Sequence, residues 1–83
     1  MIILAATPIG NLGDASQRLI DALENAQVVA SEDTRTTQRL LAALGIQNRP
    51  RLIALHDHNE KARAVELVEL ARATDVLLLS DAG

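Results

Sequence analysis

Four short apolar runs recur along the chain: Ile2 to Ala6, Val28 to Ala30, Leu52 to Leu55 and Val76 to Leu79. Each is nearly continuous rather than alternating, the pattern of strands covered on both faces of a parallel sheet. Between them the apolar positions recur with helical spacing. The first such segment predicts a helix from Ala15 to Asn25, with Leu19, Ile20 and Leu23 on its apolar face, Asp14 as N-cap and Gln17 completing a capping-box pattern. The second predicts a helix from Thr34 to Leu44 that buries Leu40, Leu41 and Leu44 and stops at Gly45, where glycine readily takes the left-handed conformation. A third, Asn59 to Ala73, presents Val65, Val68 and Ala71, with Leu67 and Leu70 widening the stripe. Strands alternating with helices in the order βαβαβαβ predict an α/β fold: an open, mostly parallel sheet with right-handed crossovers and helices on both faces.

Polar chemistry is distributed unevenly over the connections. Thr7 to Asp14, Ser31 to Arg35, His56 to Asn59 and Ser80 to Gly83 each follow the end of a predicted strand. The opposite connections, Glu24 to Gln27, Gly45 to Arg51 and Ala73 to Asp75, carry ordinary turn residues. Ligands of open α/β sheets bind outside the carboxyl ends of the strands, so four loaded loops on that one edge predict a ligand site.

Composition narrows the class. Eighty-three residues make one domain at most, and a net charge of −3 with 48% hydrophobic residues suits a soluble protein. No segment has the roughly 20 apolar residues that cross a bilayer, and Met1 lacks the basic flank of a signal peptide, so a cytoplasmic protein with no membrane partner is expected. With no cysteine and only two histidines, no structural metal is expected. Aromatic residues are absent, so any RNA contact from this segment would rely on Arg, backbone and shape rather than on base stacking. Residues 34–56 carry four Arg and no acid. The topology splits them: Arg35 opens a helix at the ligand edge with Arg39 one turn on, while Arg49 and Arg51 precede a strand on the far edge. The chain stops at Gly83, directly after a strand, where a complete α/β domain would continue into another helix. It is therefore expected to be truncated, with its last strand at an edge of an under-covered sheet and marginal stability or self-association as the result.

Each loop admits a structural and a chemical reading. Gly10 and Gly13 suit a tight turn before a helix, and equally a backbone cradle for an anion at a helix N-terminus. The opening glycine of a dinucleotide fingerprint is missing, yet Glu32 stands where an acid would grip a ribose diol. One N-cap accounts for either Asp33 or Thr34, but not for Glu32 and Arg35 together. Asp57 with Glu60, or Asn59 alone, can cap the third helix, while His56 and His58 suit hydrogen-bond scaffolding, phosphate contact or base chemistry. Asp81 after a buried strand suits a ligand hydroxyl or ammonium, with Ala82 and Gly83 allowing close backbone approach.

Taken in order, A-T-P-I-G-N-L-G-D (Ala6 to Asp14), S-E-D-T-R (Ser31 to Arg35), H-D-H-N-E (His56 to Glu60) and L-L-L-S-D-A-G (Leu77 to Gly83) resemble the N-terminal domain of the tetrapyrrole methylase, or class III methyltransferase, superfamily. Within it they resemble the branch that methylates small-subunit ribosomal RNA. Departures are small: Ser31 where Ala is usual, Asp57 where Glu is common, and Ala15-Ser16-Gln17 where apolar residues and Thr more often open the helix. The resemblance implies S-adenosylmethionine as methyl donor, a cytidine ribose 2′-hydroxyl in the decoding region of the small-subunit RNA as acceptor, a second domain closing the cofactor cleft, and a homodimer. It puts Ile9, Gly10, Asn11, Ser80, Asp81 and Ala82 at cofactor-contacting positions. Glu32, Asp33 and His58 are then candidate bases and Arg35 a candidate phosphate contact. The fragment alone should be inactive. The rival readings are a tetrapyrrole C-methylase or diphthine synthase, which the Asp-Thr-Arg and His-x-His-Asn-Glu motifs disfavour, and a non-catalytic flavodoxin-like or receiver-like module, which would want an acid where Thr7 and Pro8 stand.

Overall fold

The protein is described by a computed structural model covering residues 1–6, 16–55 and 60–80. Strands β1 (Ile2–Ala6), β2 (Val28–Ser31), β3 (Arg51–Ala54) and β4 (Val76–Ser80) alternate with helices α1 (Gln17–Asn25), α2 (Thr34–Ala43) and α3 (Glu60–Ala73). All strand pairs are parallel, in the order β1-β4-β2-β3. The predicted α/β architecture is therefore present. β2 and β4 each run one residue past the apolar run, and β3 starts one residue earlier, at Arg51. Pairing is a backbone property: Val28 stands opposite Arg51, and the Arg51 amide donates to the Gln27 carbonyl at 2.9 Å whatever its side chain does.

Strand order explains why helices lie on both faces. From β1 to β2 to β3 the chain steps across the sheet in one direction, and α1 and α2 share a face. From β3 to β4 it steps back, and crossovers of one hand then put α3 on the opposite face. Two clusters record this division. Leu19, Leu23, Val29, Leu40, Leu41, Ile46, Leu77 and Leu79 form the core under α1 and α2, while Val28, Ala30, Ile53, Leu67 and Val76 form the core under α3. Neighbouring residues of one strand alternate between the two clusters, as the pleat requires.

Four expectations are corrected. The last strand is not at an edge: β4 is inserted between β1 and β2, and the edges are β1 and β3. Helix α1 is capped by Ser16 rather than Asp14, its hydroxyl accepting from the Leu19 amide at 3.1 Å, so the helix starts at Gln17. Helix α3 does not bury Val65 and Val68, which are 66% and 49% exposed. Its five apolar positions span more than one face, and the sheet takes the arc of Leu67, Leu70 and Ala71. Coverage of β1 is incomplete as well: Ile2 and Leu4, on the α3 side, are exposed because α3 lies over β2, β3 and β4. The start of β1 is nevertheless tied down, since the Met1 ammonium donates to the carbonyls of Ala71 at 2.7 Å and Thr74 at 3.2 Å.

The end of α2 follows the expected signal. Gly45 has φ of +69°, its amide donates to the Ala42 carbonyl, and the Ile46 amide reaches back to the Leu41 carbonyl at 2.9 Å. This is a Schellman closure, with Ile46 buried as its hydrophobic contact. Leu44, expected in the core, is half-buried at its rim. Asn48 then donates to the carbonyls of Leu23 and Ala26 at 2.8 and 2.7 Å, pinning the loop before β3 to the end of α1.

Candidate functional site

At the carboxyl edge of the sheet, strand order sorts the four strand ends into two neighbouring pairs. β1 and β4 stay paired to their last residues, with Ala6 opposite Ser80. β2 and β3 likewise end together, with Ser31 opposite Ala54 and the Leu55 amide donating to the Ser31 carbonyl at 2.7 Å. The helices that follow β2 and β3 lie on opposite faces, α2 on one and α3 on the other, the arrangement at which α/β proteins commonly hold ligands. Four strands at about 4.8 Å spacing make the whole edge roughly 14 Å wide, the scale of a nucleoside-sized ligand beside a second nucleotide.

At the β2–α2 corner the polar cluster resolves into distinct roles. Asp33 is the N-cap of α2, in extended conformation, and its carboxylate accepts from the Arg35 amide at 2.9 Å. The same carboxylate takes the Arg35 side chain through Nε and Nη2, each at 3.2 Å. The Arg35 side-chain hydrogen bond, followed by its backbone hydrogen bond, lowers the Asp33 pKa below the ordinary carboxylate value, and the pairing raises that of Arg35. Asp33 is thereby a weaker base than a free carboxylate. Glu32 differs: it is exposed and makes no hydrogen bond or ion pair among the described residues.

Beneath this corner lies a contact between two hydroxyls that no sequence motif marks. The hydroxyls of Ser31 and Thr37 share a buried hydrogen bond of 2.7 Å, joining the last residue of β2 to the first turn of α2. Both side chains are nearly inaccessible, at 4% and 2%. The only hint was a hydroxyl on each side of the strand-to-helix turn. Ser31→Ala should cost about 1–3 kcal/mol in urea unfolding by leaving the Thr37 hydroxyl short of a partner. Adding Thr37→Val should recover most of that loss, and a Ser31→Ala variant as stable as the parent would show the contact to be idle.

Of the sequence-derived site residues, Glu32, Asp33 and Arg35 are brought together at the corner, and Ser80 stands exposed at the end of β4. Ile9, Gly10, Asn11, His58, Asp81 and Ala82 lie outside the described residues, as does the proposed capping role of Asp57. No helix among the described residues is long and apolar enough to cross a membrane.

Comparison with known proteins matches the whole chain, residues 1–83, to the family described as Tetrapyrrole (Corrin/Porphyrin) Methylases. Similar proteins include a ribosomal RNA small subunit methyltransferase I from Micromonospora olivasterospora, 52% identical over 99% of this chain and 26% of that protein. The protein of the same name from Vibrio cholerae is 45% identical over 100% of this chain and 28% of its own length, and that from Synechocystis is 43% identical over 100% and 29%. The chain thus spans between a quarter and a third of the length of these relatives.

Proposed function

The chain belongs to the tetrapyrrole (corrin/porphyrin) methylase family, and on that premise we propose that it is the N-terminal domain of a methyltransferase that uses S-adenosylmethionine to methylate the 2′-hydroxyl of a cytidine in the decoding region of small-subunit ribosomal RNA. The observation that carries this reading is the pairing of strand ends. Ala6 of β1 and Ser80 of β4 stand opposite each other at the carboxyl edge, and in sequence Ile9, Gly10 and Asn11 follow the one while Asp81 and Ala82 follow the other. Ser31 of β2 and Ala54 of β3 are likewise opposite each other, with Glu32, Asp33 and Arg35 following the one in sequence and His58 the other. Donor and acceptor would thus each have two adjoining loops on one edge. The names of the similar proteins favour an RNA acceptor over the tetrapyrrole and diphthine alternatives.

The donor set of the first pair fits the cofactor: glycines before a helix start, a hydroxyl at Ser80 and a carboxylate at Asp81 suit an amino-acid and ribose-bearing ligand. Bound there, S-adenosylmethionine supplies an electrophilic methyl group on a sulfonium. The chain's own residues would align the acceptor oxygen with that methyl and receive its proton, since an in-line displacement depends on alignment and on a base at the attacking atom. Glu32 suits the base, because its carboxylate is free among the described residues while that of Asp33 is held by the helix cap and Arg35. Arg35 presents its guanidinium outward, 80% exposed, for an acceptor phosphate. The parent protein would act as a homodimer in the cytoplasm, with the second domain completing the cofactor cleft.

Calorimetry on the full-length protein tests the donor half. Asp81→Ala should weaken S-adenosylmethionine binding by about 1–3 kcal/mol, the scale of a hydrogen bond to a charged group. Unchanged affinity would move the cofactor away from the β1–β4 loops.

A further inference from the structure

We propose that the outer face of α2, together with Arg49 across the adjoining groove, is the track on which the RNA strand beside the acceptor nucleotide lays its phosphates. This rests on the RNA methyltransferase reading above and adds the surface by which the RNA is held.

The charge distribution comes first. The chain as a whole carries −3, yet residues 34–56 hold four Arg and no acid. A polyanion approaching a net-acidic domain is drawn to the part where positive charge is concentrated. The structure then divides the four arginines by face. Arg51 stands opposite Val28, on the α3 side of the sheet, and its Nη2 is 2.8 Å from a Glu66 carboxylate oxygen. Glu66 is also held by Arg63, and its pKa is lowered chiefly by the Arg63 side-chain hydrogen bond, so Arg51 is engaged with a shared carboxylate on the α3 side, away from α2.

The other three remain on the α2 side. Arg39 is exposed and makes no hydrogen bond or ion pair among the described residues. Arg49 donates through Nη1 to the carbonyls of Ile46 and Asn48, which hold the side chain without cancelling its charge. Arg35 shares Nε and Nη2 with Asp33 and keeps Nη1 unengaged among the described residues. Arg35, Gln38, Arg39 and Ala42 recur at helical spacing, all exposed, and so line one outward stripe of α2. Beside that stripe runs a groove of about 470 Å³ lined by Gln38, Leu41, Ala42, Arg49, Pro50 and Leu52. Arg49 thus faces α2 from across the groove. A ten-residue helix is about 15 Å long, so the stripe leads from Arg35 and Glu32 at the carboxyl edge down the flank of the domain. RNA seated on it would present one nucleotide at Glu32.

With no aromatic side chain in the sequence, this surface holds RNA by charge rather than by stacking. That gives it a measurable signature: the logarithm of affinity falls with the logarithm of salt by about 0.7 for each phosphate contacted on a single strand. The test uses the full-length protein and a small-subunit RNA fragment containing the decoding region, with binding followed by fluorescence anisotropy from about 50 to 200 mM salt. Arg39→Gln should bind a few-fold more weakly, with a slope smaller by about 0.7, while Arg39→Lys keeps the slope. Ala42→Glu, which removes no existing contact, should also weaken RNA binding and leave S-adenosylmethionine affinity unchanged. If wild type binds with a steep salt slope and both Arg39→Gln and Ala42→Glu superpose on it, the track is elsewhere and the methyltransferase reading stands. If wild type neither binds nor methylates the RNA, the reading falls and the track with it.

Discussion

Glu32→Gln in the full-length protein is expected to slow methyl transfer to small-subunit RNA by about 10² to 10⁴-fold, the usual scale for a positioned base. The melting temperature should barely change. Glu32 is exposed and unpaired among the described residues, so the amide removes no structural contact. Its neighbour provides the contrast. Asp33 holds the first turn of α2, and Asp33→Ala should cost about 1 kcal/mol of stability as a lost cap. Asp33→Asn, which can still cap, should retain most of the rate. Single-turnover assays with labelled methyl donor, read beside thermal melts, separate the two carboxylates. Should Glu32→Gln turn over normally while Asp33→Asn is inactive, the base is Asp33, despite its lowered pKa.

Leu77→Ala is expected to be the most destabilising of the single truncations considered. Leu77 is 2% exposed in β4, between Ile3 of β1 and Val29 of β2, and belongs to the cluster under α1 and α2. Buried Leu→Ala substitutions cost about 2–5 kcal/mol. Against a net stability of about 0.05–0.15 kcal/mol per residue, that is a large share of what an 83-residue domain has. The melting temperature should fall by about 4–8 °C per kcal/mol. Val65→Ala on exposed α3 is the control and should melt with wild type. A Leu77→Ala protein within 1 °C of wild type would mean that β4 is not the centre of the sheet.

Much of the fold was legible because its signals are local. The apolar runs located the strands, and Gly45 marked the end of α2, since one residue's backbone freedom decides that position. Strand order was not legible: nothing within Val76 to Leu79 says whether its neighbours are β1 and β2 or open solvent. The misjudged face of α3 has the same origin. Val65, Leu67, Val68, Leu70 and Ala71 offer two overlapping stripes, and only the position of the sheet selects one. Ser16 and Asp14 are both competent caps two residues apart, so the choice between them depends on where α1 meets β1 and not on propensity. In the candidate site, Glu32, Asp33 and Arg35 stood out as a group. Which of them caps the helix and which is free required coordinates, as did the hidden partnership of Ser31 with Thr37.

The insertion of β4 between β1 and β2 also sets a timetable for synthesis. Successive strands usually find one another as they emerge, but here only β2 and β3 are both consecutive and adjacent. Among the described residues β1 pairs only with β4, some 70 residues downstream, from Ile2 to Val76 onward. At about 5–20 residues per second, translation from Ser31 to Ser80 takes roughly 2–10 s, far longer than collapse of a chain this size. Throughout that interval Val29 and Ala30 lack their β4 neighbours, and the nascent chain holds an unpaired apolar strand at its tip. A ribosome stalled before Val76 displays β1 without the strand it pairs with in the finished sheet.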